Sequence, residues 1–114
     1  MKIKTIDILA KEWFDRIYGN SYFSAQITIN YGMKDEVIMK VPFQYGYKRQ
    51  YEQAAKEILL RELYIEHILE SRAADGEYYT DSLTRICRNR NIILRSYKVE
   101  NCLKIDVKRF GGES

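Results

Sequence analysis

The sequence predicts an α+β domain in which an antiparallel sheet carries two helices on one face. Three observations support this fold class: alternating apolar and polar residues over the first 47 positions, apolar residues three and four apart in the middle, and alternation again from residue 93. Alternation at every second residue is typical of a strand with one buried face, and spacings of three and four are typical of an amphipathic helix. The predicted sheet is a three-stranded meander plus a C-terminal hairpin.

The three N-terminal strands are predicted over residues 5–18, 22–31 and 36–43. Residues 19–21, Gly-Asn-Ser, are a strong turn signal, and short turns between consecutive strands imply antiparallel pairing. Pro42 has no amide hydrogen to donate, so it belongs at a strand end or on an edge strand.

Two helices are predicted in the middle of the chain. The first extends from residue 51 to about residue 71, with a kink near Tyr64 where the apolar stripe drifts. The second begins at Thr80 or Asp81, either of which is a favourable N-cap, and ends between residues 89 and 91. The residues that we expect in the core are Trp13, Ile27, Ile29, Ile58, Leu59, Leu83 and Ile86.

The C-terminal stretch returns to a strand pattern. Residues 93–99 and 103–110 each alternate, and Glu100-Asn101-Cys102 between them is typical of a hairpin turn. Whether this stretch forms one strand or a hairpin stays open. Residues 1–110 are therefore predicted to form a single domain, and residues 111–114 a disordered tail.

Composition and length indicate a class of protein. The chain has 114 residues, of which 46% are hydrophobic and 31% charged, as in a globular domain that buries its own core. We find no apolar run long enough to span a membrane and no secretion signal at the N-terminus. Cys87 and Cys102 form no metal or redox motif, so both thiols are expected to be free. These features predict a cytoplasmic location.

No arrangement of residues in the sequence predicts catalysis. His67 is the one histidine and has no cysteine or carboxylate at ligand spacing. There is no glycine-rich phosphate loop, and Cys87 lies on the apolar stripe of the second helix, where buried thiols are inert. We therefore expect neither enzymatic activity nor a cofactor or metal, and a small enzyme is the third class of function to consider.

The charges separate along the chain. Residues 52–81 carry eight acids and three bases, whereas residues 82–110 carry eight bases and two acids. Glu62, Glu66 and Glu70 are spaced four apart, so a helix would align them in one repulsive stripe. The stripe is either a solvated face or a docking surface for a basic partner. The residues predicted to bind such a partner are Glu62, Glu66, Glu70, Tyr45, Tyr47 and Tyr64.

The basic segment predicts a different partner. Arginine binds phosphate through two parallel hydrogen bonds, so a cluster on the second helix and the following strand would suit nucleic acid. The alternative is solvation, or pairing with the acidic helix of the same molecule. The predicted nucleic-acid-binding residues are Arg85, Arg88, Arg90, Arg95 and Lys98.

Three stretches of the sequence carry a resemblance when they are taken together. They are Trp13-Phe14-Asp15 followed by Gly19-Asn20-Ser21-Tyr22, then Phe43-Gln44-Tyr45-Gly46-Tyr47, then Asp81-Ser82-Leu83 opening a helix that ends in Asn89-Arg90-Asn91-Ile92. In this order they resemble a group of small proteins encoded by bacteriophages and prophages. The similarity extends to about Ile92, and the tail after Ile93 departs from it. No catalytic residue carries over from this group.

The resemblance implies a phage accessory protein that acts in the cytoplasm of a bacterial host. Small phage proteins without catalytic machinery often bind and block a host factor. The function expected first is therefore a non-enzymatic binding protein that inhibits a host defence nuclease complex, in the manner of an anti-CRISPR protein. The alternative is a nucleic-acid-binding accessory or regulatory protein. The expected partners are a host protein or ribonucleoprotein, then nucleic acid, with no membrane; self-association stays open.

Overall fold

The first three strands form the antiparallel meander that the alternating pattern predicts. The structure is a computed structural model and describes residues 2–62 and 82–113. Its elements are the strands β1 (Thr5–Asp15), β2 (Asn20–Ile29), β3 (Val37–Tyr45) and β4 (Ile93–Val99), with the helices α1 (Gln50–Arg61), α2 (Leu83–Asn89) and α3 (Lys104–Phe110). The sheet order is β3-β2-β1-β4. None of the helices among these residues has the length and apolarity needed to cross a bilayer.

The register of the meander places its branched residues on one face. Ile6 of β1 lies opposite Ile29 of β2, and Ile27 of β2 lies opposite Met39 of β3. The pairing of β2 with β3 shifts between Phe23 and Ala25. Pro42 lies on β3, which is an edge strand, as predicted.

The core lies between the meander and the helices α1 and α2, on what we call the α1 face of the sheet. Six of the seven residues predicted for the core are confirmed as buried: Ile27, Ile29, Ile58, Leu59, Leu83 and Ile86. The prediction for Trp13 is wrong, because strand alternation turns its neighbour Glu12 toward the α1 face. Trp13 is half-buried on the opposite face.

The sheet is mixed, so the prediction of a wholly antiparallel sheet is wrong. Strand β4 runs parallel to β1, with Thr5 opposite Ile93 and Lys11 opposite Val99. A parallel neighbour requires a crossover connection, and the segment that contains α1 and α2 supplies it between β3 and β4. The chain therefore returns to the edge of β1 without a hairpin.

Residues 104–110 form a helix, so the predicted last strand and the C-terminal hairpin are also wrong. Asn101 adopts a φ of 60° in the turn after β4, and α3 then begins at Lys104. The alternation of Leu103, Ile105 and Val107 does not mark a buried strand face, since the first two are exposed and only Val107 of the three is fully buried. Apolar residues in so short a run are compatible with both the strand period of two and the helix period of three to four, so tertiary packing determines which structure forms.

Helix α3 covers the face opposite to α1, which we call the α3 face. The two predicted helices, α1 and α2, share the α1 face, and α3 is a third helix that the sequence did not predict. The Ser24 hydroxyl of β2 donates to the Val107 carbonyl of α3. A Cβ atom at Gly111 would lie 2.8 Å from Ser24 Cβ and 2.9 Å from Phe43 N. Glycine at this position therefore lets the end of α3 lie directly on β2 and β3.

The start of α1 lies within one residue of its prediction, and the N-cap of α2 is the residue that follows the two predicted candidates. Helix α1 begins at Gln50, one residue before the predicted start, and the predicted extension to residue 71 lies outside the described residues. Thr80 and Asp81 also lie outside them, and Ser82 is the N-cap of α2, accepting a bond from the Arg85 amide.

Residues 111–113, predicted as part of a disordered tail, bond to α3, with Glu113 N 3.0 Å from Lys108 O.

Candidate functional site

Helix α3 places two lysines over aromatic rings of the sheet. Lys104 Nζ lies 5.0 Å from the centroid of the Trp13 ring, and Lys108 Nζ lies 5.5 Å from that of Phe43. The two lysines are four residues apart, so they lie on the same side of the helix. At these distances each ammonium is attracted by the negative face of the ring.

Two further lysines reach α3 from the sheet itself. Lys11 of β1 and Lys40 of β3 lie 4.7 and 4.8 Å from the centroid of one ring, that of Phe110 at the end of α3. Strands β1 and β3 flank β2, whose small Ser24 lies beneath α3. Helix α3 therefore lies between Lys11 and Lys40, and the ring of Phe110 contacts both ammonium groups.

These cations and rings define what we call the lysine–aromatic face. Its members are Lys11, Lys40, Lys104, Lys108, Trp13, Tyr22, Phe43 and Phe110.

The four lysines of this face have no acidic partner among residues 2–62 and 82–113. The salt bridges found there involve Arg49, Arg95 and Lys98 instead. The one side-chain hydrogen bond from the four goes from Lys40 Nζ to the neutral Gln26 Oε1, at 2.8 Å. Ammonium groups that are grouped together and not neutralised create a positive potential, which attracts anions.

Aromatic rings continue from this face along the end of the sheet. The Tyr22 and Phe43 rings stack at a centroid distance of 5.3 Å, and Tyr45 meets Tyr22 edge-on at 5.8 Å. Tyr47 follows, 6.4 Å from Tyr45. Tyr45 is 57% exposed and Tyr47 46%, so the row ends in two accessible rings.

A cleft of about 340 Å³ separates α3 from the end of the sheet. Tyr22 and Phe43 line it together with the two α3 lysines, Lys104 and Lys108. Asp15 and Glu113 line it as well, and the Asp15 carboxylate accepts backbone bonds from residues 17 and 18 of the β1–β2 turn. The cleft therefore presents aromatic surface and ammonium groups together.

The structure does not bring together the basic residues that the sequence grouped. Arg95 lies on the α3 face, with its Nε 2.6 Å from Asp7 Oδ1, whereas Lys98 lies on the α1 face, with its Nζ 3.0 Å from Glu12 Oε1. Successive residues of a strand alternate between the faces, and positions 95 and 98 are separated by an odd number. Both cations are paired within the molecule.

The arginines of the second helix lie elsewhere. Arg85 and Arg88 are exposed on α2, and Arg90 is half-buried just after its end, 3.4 Å from the Ile86 carbonyl. None of these three arginines is part of the lysine–aromatic face. Nucleic-acid binding by these arginines stays a prediction.

The predicted docking stripe is described only at its first residue. Glu62 follows the end of α1 and is exposed. Glu66, Glu70 and Tyr64 lie outside the described residues. The predicted contact residues Tyr45 and Tyr47 are exposed, and their rings continue the aromatic row of the lysine–aromatic face.

The two thiols are free, as predicted. Cys87 is buried in α2, and this burial raises the pKa of its thiol to about 12. The nucleophile of a cysteine is the thiolate, so Cys87 is unreactive near neutral pH.

The lysine–aromatic face was missed because its residues are distant in the sequence. The one local signal was the spacing of Lys104 and Lys108, which has meaning only when residues 104–110 form a helix. Trp13 was assigned to the core, and Lys11 and Lys40 were not considered. Comparisons with family models, curated proteins and solved structures find no match to this chain.

Proposed function

We propose that the protein binds single-stranded nucleic acid through the lysine–aromatic face. The observation that carries the proposal is the grouping of Lys11, Lys40, Lys104 and Lys108 on one face. Each lies against an aromatic ring, and none has a carboxylate partner within residues 2–62 and 82–113. Phosphate groups are the anions that such a row of ammonium groups suits, because each lysine displaces a condensed counterion from the strand.

Aromatic side chains beside the cations favour a single strand over a duplex. Proteins that bind single strands combine a positive groove with rings on which unpaired bases stack. Tyr45 and Tyr47 offer exposed rings at the end of the row that begins with Phe43 and Tyr22. The bases of a duplex are already stacked on one another, so only its phosphates would contact this face.

The test is fluorescence anisotropy with a labelled oligothymidine and a duplex of equal length, between 50 and 200 mM salt. Affinity should fall as salt rises, and the single strand should bind more tightly than the duplex. In Lys104→Gln/Lys108→Gln, the slope of log affinity against log salt should decrease by about 0.7 for each lost phosphate contact.

The matched control is Arg85→Gln/Arg88→Gln, which removes the same charge from α2. We expect it to bind like the parent. If this control loses affinity and the lysine variant does not, the arginine cluster is the binding surface. If no oligonucleotide binds at 50 mM salt, the proposal is wrong.

A second candidate function, inhibition of a host defence nuclease, is favoured by the tip of the β1–β2 hairpin. Large apolar side chains are exposed at this tip and along a groove of about 590 Å³ beside it: Tyr18 at the tip, and Phe14, Ile17 and Leu103 in the lining of the groove. Contiguous exposed apolar surface is typical of protein interfaces. The proposed partner is a protein of the nuclease complex.

An infection assay tests this candidate. Expression of the chain in a host with an active defence nuclease should restore phage growth, and Ile17→Asp should abolish the effect, because a charge then replaces an apolar contact. Arg16→Asp at the neighbouring exposed position is the control for a charge change at the tip. Equal activity of Ile17→Asp and the parent excludes the hairpin tip as the interface.

A further inference from the structure

The two edge strands of the sheet differ in how they are protected. Strand β3 carries the exposed Pro42, and its pairing with β2 is irregular. Strand β4 has neither proline nor a break in register over its seven residues. Proteins block their edges with such devices because an open edge pairs with other strands. Among the described residues, no backbone hydrogen bond joins the outer side of β4 to another element.

The free backbone groups of β4 belong to alternate residues. Ile93 N donates to Lys4 O at 3.0 Å, so its amide points toward β1. Bonding alternates along a parallel ladder, and the amides of odd-numbered β4 residues therefore point inward. Those that point outward belong to Leu94, Ser96 and Lys98.

Three of the four side chains that β4 carries on the α3 face are aliphatic or aromatic. Ile93 is 58% exposed, Tyr97 67% and Val99 38%. Arg95 lies among them, with its guanidinium held by two bonds to Asp7. An open edge with an exposed apolar row has the two features that strand addition uses, backbone bonds for affinity and side chains for specificity.

We infer that β4 pairs antiparallel with β4 of a second copy of this chain, about a two-fold axis at Ser96. In this register Leu94 lies opposite Lys98 of the second copy and Ser96 lies opposite Ser96. Every outward amide then has a partner, and all seven residues of β4 are paired.

The side chains fit this register. Ile93 lies opposite Val99 of the second copy, which is an apolar pair. Arg95 lies opposite Tyr97 of the second copy, and a guanidinium over a phenol ring is favourable. The two neighbouring registers fit less well. If the two-fold axis lies at residue 95, Arg95 lies opposite Arg95 of the second copy. If it lies at residue 97, the Leu94 amide has no partner in β4 of the second copy.

The pairing produces a continuous sheet of eight strands. A two-fold axis normal to the sheet keeps equivalent faces on the same side, so the two α3 faces would lie side by side. The inference does not depend on nucleic-acid binding, because it is tested by the oligomeric state of the protein alone.

Two substitutions of Tyr97 test the register by sedimentation velocity over a range of protein concentrations. Tyr97→Arg sets arginine opposite Arg95 of the second copy, and the dimer should weaken about tenfold or more. Tyr97→Glu sets a carboxylate there, and the dimer should stay within about threefold of the parent. Tyr97 is largely exposed, so both variants should fold.

Hydrogen exchange gives a second measurement. As the parent dimerises, the amides of Leu94, Ser96 and Lys98 should become protected, and in Tyr97→Arg they should exchange rapidly. A parent that is monomeric at all concentrations contradicts the inference. So does a dimer that Tyr97→Arg leaves intact, or one that both substitutions weaken equally.

Discussion

On the α1 face of the sheet, Lys98 lies 3.0 Å from the Glu12 carboxylate and both side chains are nearly buried. On the α3 face, Lys104 and Lys108 lie over aromatic rings and meet no carboxylate among the described residues. A cation on a buried face depends on its partner, because removal of that partner leaves an uncompensated buried charge. A cation that lies over an aromatic ring and has no carboxylate to neutralise it remains available to bind an external anion. This contrast supports the proposal that the α3 face binds an anionic partner, whereas the α1 face holds the core of the fold.

The largest effect is expected from Leu59→Ala on the α1 face. Leu59 is fully buried, so its truncation should lower the free energy of unfolding by about 2–5 kcal/mol. Urea unfolding followed by circular dichroism measures this change. Gln53→Ala, at an exposed position of the same helix, should leave the midpoint nearly unchanged. An unchanged midpoint in Leu59→Ala would place the core elsewhere.

On the α3 face, Gly111→Ala should lower both stability and nucleic-acid affinity. The new methyl group would meet the Phe43 backbone and Ser24, and relief of such overpacking costs about 1–3 kcal/mol. The shift would displace Lys104 and Lys108 from their rings. Arg109→Ala, at an exposed position of α3, controls for helix stability. Unaltered stability and affinity in Gly111→Ala would show that α3 does not pack on β2 and β3.

A direct comparison of the two faces uses the single substitutions Glu12→Gln and Lys108→Gln. Removing the carboxylate leaves the Lys98 ammonium nearly buried without its charged partner, and we expect a loss of about 1–3 kcal/mol in stability. Lys108→Gln should cost less than about 1 kcal/mol but weaken oligonucleotide binding. Thermal unfolding and anisotropy together measure both effects. The reverse pattern would refute the division of roles between the faces.

The smallest effect concerns the thiols. Cys102 should react with an aromatic disulfide reagent at pH 8, whereas Cys87 should react only after unfolding. The folded state holds the Cys87 proton up to a pKa of about 12, and an unfolded cysteine loses it near 8.5. The protonated Cys87 thiol therefore makes its full contribution to the free energy of unfolding below about pH 8.5, and this contribution decreases as pH rises toward 12. In Cys87→Ala, the free energy of unfolding should depend less on pH between about 8.5 and 12. If both thiols of the folded parent react rapidly with the reagent, the burial of Cys87 is contradicted.

The sequence predicted the parts of the molecule that depend on local pattern. The meander and α1 follow from periods of two and of three to four residues, and Ile27 and Leu59 follow as their buried members. The direction of β4 depends on a crossover, and the alternation within residues 93–99 contains no information about it. The sequence of residues 104–110 fits a strand and a helix alike, and contact with Ser24 selects the helix.

The lysine–aromatic face depends on the two features that were predicted incorrectly. Lys104 and Lys108 lie on one surface only if α3 is a helix, and Lys104 contacts the Trp13 ring only because that ring lies outside the core. The sequence did indicate a basic C-terminal segment, but it placed the cluster at Arg85, Arg88, Arg90, Arg95 and Lys98. The structure pairs Arg95 with Asp7 and Lys98 with Glu12.

Trp13 offers the most direct measurement of the central claim, because it is the one tryptophan of the chain and belongs to the lysine–aromatic face. Its fluorescence should be quenched as oligothymidine is added at 50 mM salt, with the same midpoint as the anisotropy of the labelled strand. The quenching should be reversed by salt and weakened in Lys104→Gln/Lys108→Gln. Binding that leaves the Trp13 emission unchanged would contradict the account.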